Sequence, residues 1–236
     1  MALGGIDIDA VLLDGLGTLV ALEPPWPRLV ERLRDAHGVE LASADAERAF
    51  RAEIGYYRTH HHEGRNPGAL EDLRRRCAEV LHAQLPPQAV EALSLEQLSA
   101  AMLDSLRFDA YPEVPAVLAR LRARGLALVV VSNWDVSLPA VLRNVGLEGM
   151  VDGVVTSAEV GRPKPAPEIF TAALALAGCA PERAVHVGDS LDQDIHGALA
   201  AGIRAVLLRR GDAELGEQPP GVPSISSLAQ LPPLLG

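Results

Sequence analysis

Four polar side chains stand where short apolar runs or loops of the sequence meet helical patterns; they are Asp14, Ser132, Lys164 and Asp189. Asp14 and Ser132 each follow an apolar run directly, and Asp189 follows one after a single glycine. Lys164 lies in a Gly-Arg-Pro-Lys-Pro loop just before a helical pattern. In open parallel sheets, ligands bind at the carboxyl ends of the strands. We therefore expect these four side chains to face one crevice.

These residue types suit the chemistry of a phosphoryl group. Such a group requires a nucleophile held in line, hydrogen-bond donors around its oxygens, a cation for the developing charge and a hard metal ion bound by carboxylates. Asp14 is the candidate nucleophile and would form an aspartyl-phosphate. Thr18 and Ser132 are candidates to hydrogen-bond the phosphate oxygens, and Lys164 would neutralise them. Asp14 and Asp189 are candidates to bind one Mg²⁺ ion together.

The chain contains 21 basic residues, and Lys164 is the one lysine among them. The other 20 are arginines. The ammonium group of lysine is a compact point charge that a planar guanidinium does not replace. Because Lys164 also lies in the Gly-Arg-Pro-Lys-Pro loop, it is a candidate for a position where arginine would not serve.

Short apolar runs alternate with helical patterns from about residue 110 onward. The runs are Leu126 to Val131, Val151 to Val155, Ala184 to Val187 and Arg204 to Leu208, with a further run, Ile8 to Leu13, near the N-terminus. The helical patterns between them are Glu113 to Arg124, Val136 to Val145, Pro167 to Ala177 and Asp192 to Ala201. Continuous apolar strands separated by helices are typical of a parallel sheet covered on both faces. The pattern predicts a doubly wound α/β core.

The segment from residue 24 to residue 109 has no strand pattern. Its helical patterns are Pro27 to Ala36, Ala44 to Tyr57, Ala69 to Leu85 and Leu95 to Leu106. We therefore expect residues 24–109 to form an all-helical cap inserted after the first strand, with residues 1–23 and 110–236 forming the α/β core domain. Such a cap would cover the carboxyl edge of the sheet, where ligands bind.

Composition narrows the possible partners. The formal net charge is −10, which argues against a nucleic-acid binder, because such proteins neutralise phosphates with Lys and Arg. No apolar run approaches the length of a membrane span, and the first residues lack a secretory pattern. We expect a soluble, cytoplasmic protein that acts on a small anionic substrate without contact with nucleic acid or membrane. The sequence gives no signal of its oligomeric state.

The ordered motifs resemble those of the haloacid dehalogenase (HAD) superfamily with a helical cap of the C1 type. The motifs are Asp14-Gly15-Leu16-Gly17-Thr18-Leu19, Ser132-Asn133, Lys164 in GRPKPAPEIF, and Gly188-Asp189-Ser190 with Asp194. The resemblance implies a Rossmann-like sheet with Asp14 as the nucleophile and Asp189 as a Mg²⁺ ligand. It further implies that Asp194 is a metal ligand or a neighbouring carboxylate, and that the backbone carbonyl of Leu16 also coordinates the ion.

One position departs from the phosphatases of this superfamily. They carry a second aspartate two residues after the nucleophile, which protonates the leaving group and later activates water, whereas this chain has Leu16. Loss of a positioned general acid or base costs about 10²- to 10⁴-fold in rate. We therefore expect weak activity on alkyl phosphates. Acyl and aryl phosphates would be affected less, because their leaving groups need no proton.

Two other functions stay open at this point. The 2-haloacid dehalogenases of the superfamily also lack the second aspartate and work without a metal, but they generally lack the acidic metal-binding residue that this chain has in Asp189. The chain also resembles, through Ser132 to Asp135 and Leu16, a branch of HAD-like hydrolase-domain proteins that lacks this aspartate. A binding or regulatory protein that keeps the phosphate and metal sites with little turnover is the third possibility.

Three further residues are candidates for substrate contacts. Asn133 belongs to the second motif, and Trp26 and Trp134 lie close to the expected site loops. Aromatic residues make up only 3% of the chain, so two tryptophans near these loops are candidates for pocket walls.

Overall fold

A computed structural model describes residues 7–211 and 219–236 of the chain. These residues form two compact units. The first contains the described residues up to Ala21 and from Ala110 onward, and the second is Leu22–Asp109. Residues 1–6 and 212–218, which the sequence assigns to the core domain, lie outside the described residues.

The described residues contain eight strands. They are β1 Ala10–Leu13, β2 Val20–Leu22, β3 Phe108–Ala110, β4 Ala127–Ser132, β5 Gly153–Thr156, β6 Ala184–Gly188, β7 Arg204–Leu208 and β8 Ser224–Ile225. Six of them form a sheet in the order β5-β4-β1-β6-β7-β8, in which all paired strands run parallel. The short strands β2 and β3 pair separately.

Helices account for most of the remaining described chain. They are α1 Trp26–His37, α2 Ser43–His60, α3 Pro67–His82, α4 Pro87–Ala92, α5 Leu95–Ser105, α6 Val114–Ala123, α7 Leu138–Asn144, α8 Ser157–Val160, α9 Pro167–Ala177, α10 Gly197–Ala200 and α11 Leu231–Leu234. A π-helical segment, Leu191–His196, directly precedes α10. Across the part of the chain that the structure describes, no helix has both the length and the apolar character needed to cross a bilayer.

The central strands are buried on both faces, as their continuous apolar runs predict. In β1, Ala10 and Leu12 pack in a cluster with residues of α9, whereas Val11 and Leu13 point to the opposite face, and all four are fully buried. The predicted parallel α/β sheet is therefore confirmed. Its register aligns Leu13 of β1 with Val130 of β4 and Val187 of β6, so the residues that follow these strands come together at one edge.

The second unit is built from α1 to α5 around an apolar core. Leu29 and Leu33 of α1, Phe50 of α2, and Leu73 and Leu81 of α3 are fully buried in this core. The structure adds elements that the sequence did not predict: α4, and the three-residue strand β3 that begins at residue 108. Both are too short for periodicity to reveal.

Glu53 is a buried carboxyl group within the helical unit. It lies on α2, is only 6% exposed, and is hydrogen-bonded to the side chain of Cys77 on α3. Burial raises the pKa of Glu53 to about 7, from an ordinary value of 4.5, and the Cys77 hydrogen bond opposes that rise only in part. The folded protein therefore favours the neutral form of this side chain.

Glu53→Gln should stabilise the protein at pH 8 but not at pH 4.5. A group whose pKa is higher in the folded state loses stability as the pH rises above its unfolded pKa, and the loss levels off above the folded pKa. The rise from 4.5 to about 7 corresponds to about 3 kcal/mol. Between pH 4.5 and pH 8, the unfolding free energy of Glu53→Gln should therefore gain about 3 kcal/mol relative to the parent protein.

Urea unfolding at several pH values measures this difference, with Trp26 fluorescence as the probe of the helical unit in a Trp134→Phe background. Glu91→Gln is a suitable control, because Glu91 is an exposed glutamate of the same unit. Its unfolding free energy should follow that of the parent at every pH. Parallel pH curves for Glu53→Gln and the parent would contradict a buried, neutral Glu53.

Candidate active site

The carboxyl edge of the sheet brings together Asp14, Ser132, Lys164 and Asp189, as the sequence predicts for strands of one parallel sheet. Asp14 follows β1, Ser132 is the last residue of β4, and Asp189 follows β6. The side chains of Asp14, Ser132 and Lys164 are buried, whereas Asp189 is exposed.

Lys164 is the centre of the hydrogen bonds at this edge. Its Nζ atom donates to Oδ1 of Asp14 at 2.6 Å, to Oδ1 of Asp194 at 2.6 Å and to the carbonyl of Val131 at 2.9 Å. An ammonium group has three N–H donors, and each has one acceptor here. Although burial lowers it, the charges of Asp14 and Asp194 raise the pKa of Lys164 overall, which favours the ammonium form.

Asp14 is a buried carboxylate held on one oxygen. Besides Lys164, the hydroxyl of Ser132 donates to Oδ1 of Asp14 at 3.3 Å. Burial raises the pKa of Asp14 to about 6, and the charges of Asp194 and Asp189 add to the rise against the effect of Lys164. A further cation near Asp14 would therefore favour the ionised, nucleophilic form.

Asp194 is held on both oxygens. Its Oδ1 accepts from Lys164 and from Nε2 of His186 at 2.9 Å, and its Oδ2 accepts from the backbone N–H of Ser190 at 3.0 Å. Although burial alone would raise it, Lys164 and His186 hold the pKa of Asp194 well below its usual range. These three contacts hold the Asp194 carboxylate beside Lys164, and its role as a metal ligand stays a prediction.

A group of carboxylates at this edge fits a divalent cation. Ligand oxygens of Asp14, Asp189 and Asp194 lie within 4.8 Å of one another. Their three negative charges face the single positive charge of Lys164, so the group carries a surplus of two negative charges. Carboxylate oxygens are the ligands that Mg²⁺ prefers.

Three glycines leave the space that these side chains occupy. A Cβ atom on Gly17 would lie 2.1 Å from Oδ2 of Asp189, and one on Gly188 would lie 2.2 Å from Cγ of Asp194. A Cβ atom on Gly15 would lie 2.9 Å from the Ser132 hydroxyl. The glycines of the first and fourth motifs are thus part of the site, although they carry no chemical group.

Asn133 holds the loop that carries Lys164. Its Oδ1 accepts from the backbone N–H of Lys164 at 2.7 Å, and its Nδ2 donates to the backbone carbonyl of Lys164 at 3.0 Å and to Gln193 at 3.1 Å. The amide group predicted to bind substrate is therefore engaged within the protein. A contact between Asn133 and substrate stays a prediction.

The other predicted residues have different surroundings. Thr18 is fully buried, and within residues 7–211 and 219–236 its hydroxyl has no hydrogen-bond partner. Leu16 is half-buried in the loop that follows Asp14. Trp134 is 6% exposed, and its backbone is hydrogen-bonded to Ser157. Trp26 belongs to the helical unit, where it is half-buried and Arg51 lies over its ring at 5.7 Å.

Two contacts of the α/β unit were not predicted from the sequence. His186 is fully buried and hydrogen-bonded to Asp194. Arg210, two residues beyond β7, donates to the backbone carbonyls of Gly17 and Thr18. The sequence places two arginines together there, at 209 and 210, and has no signal that distinguishes them.

Comparisons with known proteins agree with the geometry. Residues 8–202 match the haloacid dehalogenase-like hydrolase family. Haloacid dehalogenase-like hydrolase domain-containing protein 3 of Mus musculus is 33% identical over 92% of this chain and 90% of that protein. Phosphoserine phosphatase of Thermus thermophilus is 44% identical over 44% of this chain and 43% of that protein.

Solved structures agree as well. The crystal structure of a HAD phosphatase from Thermococcus onnurineus is similar to this structure, with a TM-score of 0.64. The match covers 97% of this chain and 98% of the Thermococcus chain, at 27% sequence identity. The family match and the phosphatase relatives confirm the resemblance that the motifs indicate. The chain therefore belongs to the haloacid dehalogenase-like hydrolases and is a phosphatase-like enzyme.

Proposed function

We propose that the protein is a Mg²⁺-dependent phosphatase of small phosphorylated substrates that works through an aspartyl-phosphate on Asp14. The observation that carries this proposal is the buried ammonium of Lys164, which joins the carboxylates of Asp14 and Asp194 beside the exposed carboxylate of Asp189. Such a group of charges can bind both a divalent cation and a phosphate.

The chain's own residues account for the first step. An oxygen of Asp14 attacks phosphorus, an O–P bond forms, and the bond to the leaving group breaks with its electron pair on the leaving oxygen. Lys164 and Ser132 hold the carboxylate of Asp14, and Lys164 offsets charge as the phosphoryl group transfers. Asp14 and Asp189, with the backbone carbonyl of Leu16, would hold Mg²⁺, whose role when bound is to neutralise the phosphate oxygens.

The second step restores Asp14. Water attacks phosphorus, the O–P bond to Asp14 breaks, and phosphate leaves. Leu16 stands where the related phosphatases have the aspartate that would accept a proton from this water. We therefore propose that the substrate has a good leaving group, as in an acyl or aryl phosphate, and that release from Asp14 is slow.

The second candidate is metal-independent 2-haloacid dehalogenation, which Leu16 favours because such enzymes also lack the second aspartate. Asp189 argues against it. An uncompensated carboxylate near Asp14 would repel both a bound carboxylic acid and a leaving halide, and like charges at one site disfavour ionisation. We therefore retain the phosphatase as the proposed function.

Hydrolysis of p-nitrophenyl phosphate tests the proposal. We expect nitrophenol release in the presence of Mg²⁺, loss of that activity in EDTA and recovery when Mg²⁺ is restored. Asp14→Asn is the control for background hydrolysis and should have no activity under any of these conditions. Equal rates with and without metal, or chloride release from 2-chloropropionate, would contradict the phosphatase and favour dehalogenation.

A further inference from the structure

The loop after Asp14 is tightly turned and lies against Asp189. The N–H groups of Leu19 and Val20 donate to the carbonyl of Gly15 at 2.8 and 3.0 Å, and the N–H of Gly17 donates to the carbonyl of Val20 at 2.8 Å. Gly17 has a φ of +86°, and a Cβ atom there would lie 2.1 Å from Asp189 Oδ2. No side chain separates the backbone at Gly17 from the Asp189 carboxylate, so this carboxylate lies directly against the loop.

Arg210 binds two successive carbonyls of this loop. Its Nε atom donates to the carbonyl of Gly17 at 2.9 Å, and one of its terminal nitrogens donates to the carbonyl of Thr18 at 2.8 Å. Arg210 follows β7, which is separated from β1 by β6. Neighbouring strands lie about 5 Å apart, so the arginine spans about 10 Å, past the end of the strand that carries Asp189.

Arg210 is itself held in place. Its guanidinium carbon lies 3.5 Å from the ring centroid of Tyr111, and its other terminal nitrogen donates to Glu113 at 2.6 Å. The hydroxyl of Ser227 donates to the same Glu113 oxygen at 3.2 Å. A guanidinium with this many partners is a fixed support, and only a planar group with several donors can stack on a ring while it binds two carbonyls and a carboxylate.

We propose that Arg210 is a positioning residue that fixes the backbone of Gly17 and Thr18 against Asp189, and thereby sets the spacing between the nucleophile and the metal-binding carboxylate. The catalytic consequence rests on the proposed phosphatase function. The structural part of the proposal, a loop restrained by Arg210, does not depend on that function. Arg210 acts through the loop, since its donors are used by Gly17, Thr18 and Glu113.

Hydrogen exchange and kinetics together test this role. The amides of Gly17, Leu19 and Val20 donate within the loop, so their exchange reports its opening. In Arg210→Met, which loses two hydrogen bonds to the loop, exchange of a peptide covering residues 14–21 should be faster by on the order of 10-fold. With p-nitrophenyl phosphate, kcat should fall by about 10-fold while KM changes less than about twofold, because the geometry of the reacting groups changes and not substrate binding. The loop exchange rate and the kcat of Arg210→Lys should lie between those of the parent and those of Arg210→Met.

Arg143→Met is the matched control, because Arg143 is an exposed arginine of the same unit that pairs with Glu148. It should change neither exchange of the loop nor kcat. If Arg210→Met does not fold, Glu113→Gln, which removes one support of Arg210, should still accelerate exchange of the loop by about threefold.

Two results would overturn the proposal: loop exchange equal to that of the control, or a loosened loop with unchanged kcat. If the parent protein hydrolyses no aryl phosphate with Mg²⁺, the phosphatase function fails. Loop exchange then decides the positioning role alone: faster exchange confined to residues 14–21 supports it, and unchanged exchange overturns it.

Discussion

Lys164→Arg should lower kcat for p-nitrophenyl phosphate by on the order of 10²- to 10³-fold, although the substitution keeps the positive charge. The Lys164 side chain is 1% exposed, and its three donors match three acceptors, on Asp14, Asp194 and Val131. A guanidinium is larger, planar and has five donors, so it would overfill this site and leave buried donors without partners. The carboxylates of Asp14 and Asp194 would then be pushed apart.

The same loop offers a matched control. Arg162 lies two residues before Lys164 with a side chain that is 69% exposed, so Arg162→Lys makes the reverse exchange where geometry is not constrained. We expect its kcat to equal that of the parent. Circular dichroism of Lys164→Arg should match the parent, so that loss of activity is not loss of fold. Near-full activity of Lys164→Arg would contradict the inference that the single lysine is required for its shape.

The strands were predictable because each is a continuous apolar run, whereas the shortest elements were not. The helix predicted over Asp192 to Ala201 is a π-helical segment, Leu191–His196, followed by α10. In that segment the N–H of Ile195 donates to the carbonyl of Ser190, five residues earlier. Apolar periodicity does not distinguish this wider turn from an α-helix, yet the segment carries Asp194, which is 1% exposed and hydrogen-bonded to Lys164.

At the site, the sequence predicts which groups meet but not how each is used. The parallel sheet brings Asp14, Ser132 and Asp189 to one edge, because each follows or ends a strand. Asn133 and Arg210 contact residues far away in the chain: Asn133 contacts Lys164, and Arg210 contacts Gly17. A single sequence does not identify which distant residues form such hydrogen bonds. Another amide or guanidinium side chain close to the same loop would fit the sequence pattern equally well.

Leu16→Asp should raise kcat for an alkyl phosphate such as glycerol 2-phosphate by about 10²- to 10⁴-fold, the usual contribution of a positioned general acid or base. Leu16 is half-buried in the loop that follows Asp14, at the position where the related phosphatases have the aspartate that serves the leaving group and the attacking water. An alkoxide needs a proton to leave, whereas nitrophenolate does not. For p-nitrophenyl phosphate, Leu16→Asp should therefore accelerate mainly the second step, the release of phosphate from Asp14. A nitrophenol burst in the parent should disappear in the variant.

Leu16→Asn separates proton transfer from shape and polarity. Asparagine has nearly the size of aspartate but cannot transfer a proton at neutral pH, so its activity on glycerol 2-phosphate should equal that of the parent. The added carboxylate of Leu16→Asp also increases the net negative charge around Asp14 and Asp189. Leu16→Asp should therefore bind Mg²⁺ more tightly than Leu16→Asn, as measured by calorimetric titration. If both variants bind Mg²⁺ and neither gains activity on glycerol 2-phosphate, the missing acid is not what limits turnover, and the slow step lies in the positioning of the substrate over Asp14.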